Sequence, residues 1–288
     1  MAAPITKQKA AIPSLQSIDA LRGRTLVLVA HPDDELACAA LLQRVQHPLV
    51  VIATDGAPQD AYFWSSYGTR HNYVAVRRQE AIESLKGVSP LTFLNDRTNT
   101  HHFSDQALHK NLIHAVWLLL ETVGEFAPDA ILTSAFEGGH PDHDSCSFLA
   151  ALVGGTLCVP VWEMPLYHRD AKGQLVCQEF LQAVGNEAEI SATDRELIGR
   201  ERMLAVYRSQ ADLREFIRGP NELYRPQLAY NYSCPPHSGL LNYEVWRWPV
   251  SGAEVSLSMT NCHAYLQAAC KYLHQTLTRP PRSGACVS

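Results

Sequence analysis

The sequence predicts an α/β fold: a doubly wound, mostly parallel Rossmann-like sheet with a less regular C-terminal extension. Apolar runs alternate with helix-like segments along the first two thirds of the chain, the pattern of βαβ units. Polar turns follow the ends of the first four runs, where ligands collect in open α/β sheets. With 288 residues, 46% hydrophobic and 18% charged, the chain is long and apolar enough to bury a sizeable core.

The organisation reads as an N-terminal arm (1–20), a core (21–170) and a C-terminal part (171–288) that completes the domain and shapes a substrate pocket. Strand one is Thr25–Val29, followed by a helix over Glu35–Val45 with Leu36, Ala40, Leu41 and Val45 on one face. Leu49–Ala53 is strand two and ends in the turn Thr54-Asp55-Gly56. The segment 57–72 holds Tyr62, Phe63, Trp64 and Tyr67 among Gly and Ser. Two readings stand side by side: rings that stack on a sugar or form a lid, and a loop packing its own aromatics on the domain.

Tyr73–Lys86 is a helix, Leu91–Leu94 strand three, and Asp105–Val123 a long helix whose Leu108, Leu112, Ala115, Val116 and Leu119 form a core stripe. His101 and His102, in a polar stretch, are read as solvent-facing. Ala130–Ala135 is strand four, Ser145–Val153 a helix and Leu157–Trp162 strand five. Alternation over Leu175–Phe180 suggests a sixth strand; Ala192–Tyr207 is a charged helix and Ala264–Leu277 a terminal one, before a frayed tail at Pro280, Pro281 and Gly284.

Two stretches carry the chemistry. The first, Ala30-His31-Pro32-Asp33-Asp34-Glu35, lies where strand one turns into a helix. His31 and Asp34 are three apart, so one tight turn can aim an imidazole and a carboxylate at one point, and both suit a borderline cation such as Zn²⁺. Asp33, between them, is left for proton transfer. On its own the stretch is equally a helix cap, since Asp and Pro are common in first turns. The second, Glu137-Gly138-Gly139-His140-Pro141-Asp142-His143-Asp144, follows strand four. Together the two junctions supply His31, Asp34 and His143 as three ligands with an open position for water. His140 is then left to stabilise an oxyanion in its cationic form, Asp142 to orient a ligating histidine, and Asp144 to cap the following helix.

Ala30–Glu35 and His140–His143 resemble the signature pair of the PIG-L/LmbE-like zinc-dependent N-deacetylases, in a resemblance that covers roughly residues 24–165. It implies that His31, Asp34 and His143 hold the metal, Asp33 is the general base and His140 stabilises charge. It further implies substrate contacts from Arg77, in the spacing Arg77-x-x-Glu80, and from Asp96 after strand three. Read from spacing alone, Arg77 and Glu80 are an ordinary helix ion pair and Asp96 a turn residue. The expected activity is removal of an N-acetyl or other N-acyl group from an amino-sugar or its conjugate through zinc-activated water, with another divalent ion such as Fe²⁺ as an alternative cofactor. An ester or phosphoester hydrolase and a non-catalytic metal-binding module are the rival classes.

Other partners are bounded by composition. The balance of 24 basic and 29 acidic residues, −5, with no basic stripe, argues against nucleic acid. No Gly-x-Gly-x-x-Gly follows strand one, against a dinucleotide. No apolar run is long enough to span a membrane, and Met1 to Asp19 lacks a signal-peptide apolar region. The eight cysteines contain no Cys-x-x-Cys, and Cys38 and Cys158 sit in apolar sequence, so a reduced, cytoplasmic protein is expected.

Overall fold

The computed structural model describes residues 18–277, apart from 211, 218 and 248, with side chains described as far as residue 269. The expected frayed tail and most of the expected N-terminal arm lie outside these residues. The main sheet has the order β3-β2-β1-β4-β5-β9-β8. Its strands are β1 (Arg24–Val29), β2 (His47–Ile52), β3 (Leu91–Phe93), β4 (Ala130–Ser134), β5 (Val161–Met164), β8 (Ala188–Ser191) and β9 (Asn221–Pro226). The first five are parallel, and β9 and β8 add on antiparallel, so residues beyond 171 extend the same sheet. The segments β6 (Tyr167–Arg169) and β7 (Leu175–Cys177) form a separate hairpin.

Strand periodicity divides the core in two. From β1, Val27 and Val29 point to one side, with Val50, Ile52, Ala81 and Leu85; Leu26, Leu28 and Ala30 point to the other, with Val51, Leu112, Val116 and Leu149. The helices on the first side include α1 (Ala39–Leu42), α2 (Arg70–Ser84) and α5 (Asp194–Leu204). On the second side lie α3 (Leu112–Phe126), α4 (Pro141–Leu157) and α8 (Gly252–Leu277). Two single-turn helices, α6 (Leu213–Phe216) and α7 (Asn242–Val245), sit in the C-terminal loops. Because β1 pairs with β2 on one edge and β4 on the other, the strand order reverses between β1 and β4, and a crevice opens there at their C-terminal ends.

Several expected boundaries move. The helix foreseen over Glu35–Val45 is a 3₁₀ turn, Asp34–Cys38, and then the single turn α1. Its break has a tertiary cause: the buried Glu222 carboxylate on β9 accepts the amides of Ala40 (2.7 Å) and Leu41 (3.0 Å). Glu222→Ala would leave two buried amides unsatisfied and is expected to cost about 2–4 kcal/mol, read as a lowered urea midpoint. Helix α3 starts at Leu112 after a 3₁₀ turn, Leu108–Asn111, which leaves Asp105 in a loop. Helix α4 runs on to Leu157, where Cys158 takes a left-handed cap (φ 56°), so β5 begins at Val161 and Cys158 is exposed rather than apolar-packed. The terminal helix begins at Gly252, not Ala264.

Candidate metal centre

Both sequence motifs reach the crevice, each held by its own backbone. After β1 the chain turns sharply. The Asp34 amide donates to the His31 carbonyl, and Asp34 Oδ2 accepts the His31 amide at 2.8 Å. Asp33 sits at φ 112°, a left-handed conformation that costs a non-glycine residue of order 1–3 kcal/mol. It is held there by Glu35, whose Oε2 accepts the Asp33 amide at 2.9 Å. The Glu35 Oε1 is taken by the hydroxyls of Tyr207 and Ser84. After β4 the loop Glu137–Gly139 leads to His140, the N-cap of α4, with Pro141 in its first turn. Asp144 does not cap that helix: its Oδ1 accepts the Glu137 and Gly138 amides, both at 3.1 Å, and the Tyr243 hydroxyl donates to Oδ2. Gly139 admits no side chain, since a Cβ would lie 1.9 Å from the Tyr167 carbonyl oxygen.

The two loops bring the three expected ligands together. The Asp34 carboxylate lies between two imidazoles, with Oδ2 3.3 Å from His31 Nδ1 and Oδ1 3.2 Å from His143 Nε2. Ligand atoms of His31, His140 and His143 lie within 4.8 Å of one another. A second, overlapping group joins His31, Asp105, His140 and Asp142. Buried His143 Nδ1 has no hydrogen-bond partner among the described residues, and Nε2 is aimed at the Asp34 carboxylate. Two imidazoles and one carboxylate are a donor set that fits a zinc-like divalent ion.

The far side of His31 is tied down as ligating histidines usually are. Nε2 faces Asp142 Oδ2 (3.1 Å) and Asp105 Oδ1 (3.2 Å), while Asp142 also accepts the Gln106 and Leu108 amides. With its proton on Nε2, His31 keeps Nδ1 for the side that holds Asp34. Burial works against a charged His31 ring, but Asp105 and Asp34 together raise its pKa well above the ordinary value. Burial likewise opposes ionisation of Asp34, and His143 and His31 nonetheless hold its carboxyl well below the usual range.

His140 differs from the expectation of a cation. Burial, and then the charge on His31, push its pKa down. Its Nδ1 accepts the Asp142 amide at 3.2 Å, which assigns the single proton to Nε2. That N–H faces Asp105 Oδ1 at 3.4 Å. Neutral His140 is still a donor.

Arg77 takes an unforeseen place. It is 5% exposed, and its Nη2 donates to Asp33 Oδ2 at 3.0 Å and to the Pro32 carbonyl. It therefore grips the turn that carries Asp33, and not a surface partner. Glu80, its supposed helix mate, is engaged instead by the Ser209 amide and hydroxyl. Burial pushes the Asp33 carboxyl up to about 8, with Arg77 working against that rise. Asp96 stands elsewhere: it pairs with Arg78 at 2.5 Å, is half exposed, and does not line the crevice. His102 does not merely face solvent; its Nε2 lies 2.5 Å from Asp55 Oδ2, and Asp55 Oδ1 accepts the Asp105 amide. Asp105 was hidden in the sequence, read as the start of a helix, because only the fold reveals that this loop crosses the crevice.

The crevice opens into a cavity of about 590 Å³ that reaches from the imidazoles to Tyr62, Phe63, Trp246 and Arg247. The aromatic segment thus supplies part of a wall of the site, with Phe63 packed on Trp246 at 5.5 Å between ring centroids.

Residues 26–153 match the model of the PIG-L family, described as GlcNAc-PI de-N-acetylase. Among solved structures, the A40926 pseudoaglycone deacetylase Dbv21 is similar at a TM-score of 0.56 and 18% identity, over 73% of this chain and 99% of its own. The complex of the teicoplanin-pathway deacetylase with teicoplanin gives 0.55 and 18%, over 70% of this chain and 97% of its own. The zinc-inhibited form of the teicoplanin deacetylase Orf2 gives 0.53 and 18%, over the same 70% and 97%. At these identities the likeness is one of fold. No curated protein matches the chain in sequence.

Proposed function

Given that residues 26–153 are a PIG-L family segment, we propose that this protein is a metal-dependent hydrolase that removes an N-acyl group, acetyl first among them, from an amino-sugar or its conjugate. The observation that carries this reading is the Asp34 carboxylate set between His31 Nδ1 and His143 Nε2, with Asp33 beside it. His31, Asp34 and His143 would hold the ion, zinc or another divalent metal such as Fe²⁺. The chemistry such an ion supplies is polarisation of the amide carbonyl and acidification of water.

The remaining steps belong to side chains of this chain. Asp33 takes the proton of the attacking water and returns it to the departing amine. His140 donates its Nε2–H to the developing oxyanion. Asp142 and Asp105 hold the His31 ring from behind. Arg77 occupies Asp33 Oδ2, so Oδ1 is the oxygen left for proton transfer.

The direct test is acetate release from a panel of N-acetylated glycosides, with a chelator and with Zn²⁺ or Fe²⁺ restored. Turnover that a chelator removes and a divalent ion restores is expected; no release from any amide overturns the reading. Arg77 has its own test. If it positions the base, Arg77→Met lowers kcat about 10²-fold, with KM little changed and metal content intact. A raised KM at unchanged kcat would instead return Arg77 to substrate binding.

A further inference from the structure

The turn that carries Asp33 is closed from the far end of the chain. Just after α5, three residues of one short segment donate to the first motif and to α2. The Tyr207 hydroxyl donates to Glu35 Oε1. Ser209 gives its amide (2.9 Å) and its hydroxyl (2.5 Å) to Glu80, and Gln210 Nε2 donates to the Tyr73 hydroxyl at 2.7 Å. Tyr207 is 3% exposed and Glu35 is fully buried, so the contact between them lies inside the core.

One carboxylate joins that segment to the base. Glu35 Oε2 accepts the Asp33 amide at 2.9 Å, while Oε1 takes the Tyr207 hydroxyl and, at 3.2 Å, the Ser84 hydroxyl. Asp33 needs such bracing, because a left-handed aspartate persists only where its surroundings over-determine it. Its own neighbours supply the Leu36 amide on its carbonyl and the Glu35 carboxylate on its amide. A glutamate is a flexible tether unless both oxygens are engaged, and Tyr207 engages the second.

We propose that Tyr207 is a positioning residue for hydrolysis: acting through Glu35, it holds the Asp33 backbone at the angle that presents the carboxylate to the crevice. The proposal rests on the deacylase reading and extends its machinery to the C-terminal part of the chain. Arg77 fixes one side-chain oxygen of Asp33; Tyr207 fixes the backbone beneath it. Glu80 also acquires a task, since it anchors the segment that delivers Tyr207 and does not pair with Arg77.

Tyr207→Phe tests this, because it keeps the ring in the core and removes only the hydroxyl. Displacing a reacting group by a fraction of an ångström is costly, so kcat is expected to fall at least tenfold, with KM within twofold and metal content unchanged. The same change made in Asp33→Asn should cost less than twofold more, since a brace on the base has nothing further to lose once the base is gone. Parental kcat in Tyr207→Phe, or an equal loss in both backgrounds, overturns the proposal while leaving a deacylase in place.

Hydrogen exchange of the Asp33 amide gives a readout that needs no turnover. At least tenfold faster exchange is expected in Tyr207→Phe, and unchanged exchange overturns the brace. A parent protein that hydrolyses no amide sinks the deacylase reading, and exchange then decides by itself whether Tyr207 holds the turn. Should Tyr207→Phe fail to fold, Ser209→Ala frees the same segment from part of its hold on Glu80. An at least threefold lower kcat at unchanged KM is expected there, and no change counts against the assignment.

Discussion

Asp33→Asn is expected to lose about 10²–10⁴ in kcat, the span a positioned general base contributes, while binding close to one metal ion per chain. Asparagine preserves the shape of the side chain and can still meet Arg77, but it cannot take a proton from water. The turn itself should survive, because the Asp33 amide is held by Glu35, the Asp33 carbonyl by the Leu36 amide and the preceding Pro32 carbonyl by Arg77. Steady-state kinetics paired with metal analysis of the same preparation reads both halves. Near-normal turnover would remove Asp33 from the role of base. Loss of the metal together with activity would move Asp33 among the ligands.

His143→Ala should do the opposite. Removing this buried imidazole costs Asp34 one of its two imidazole partners but leaves the local backbone bonding intact, since the His143 backbone carbonyl still accepts from Ser134. An ion held by His31, Asp34 and His143, as proposed, would however lose one of its three ligands. Changing a residue that only orients a ligand typically costs 10–100-fold in affinity, so loss of the ligand itself is expected to cost more than ~10²-fold. Equilibrium dialysis against zinc checks this, with Asp142→Asn alongside as the orienting-residue control expected within that 10–100-fold span. Tight, stoichiometric zinc in His143→Ala would place the ion among His31, Asp105, His140 and Asp142 instead.

Much of this arrangement was legible because it is local. Apolar runs identify buried strands whatever packs on them, and the spacing of His31 to Asp34 allows both side chains to serve one point. Two such stretches, each after a strand, already point to one sheet end. Boundaries were less legible where a distant group decides them: Glu222, on β9, ends one conformation and starts another at Ala40. The His140 tautomer was likewise beyond reach, because it depends on which amide its Nδ1 meets.

The chain alone thus determined the α/β architecture, the two turns rich in histidine and aspartate and the chemistry their residue types can perform, all properties of neighbours in sequence. Only the tertiary structure decided that Asp105 enters the centre, that Arg77 holds Asp33, that Asp144 braces a loop, and that Asp96 pairs with Arg78 outside the cavity. The physical reason is common to all four. A charged side chain takes its role from whatever the fold sets against it, and apart from the Asp144 brace those partners lie far along the chain, beyond any local pattern.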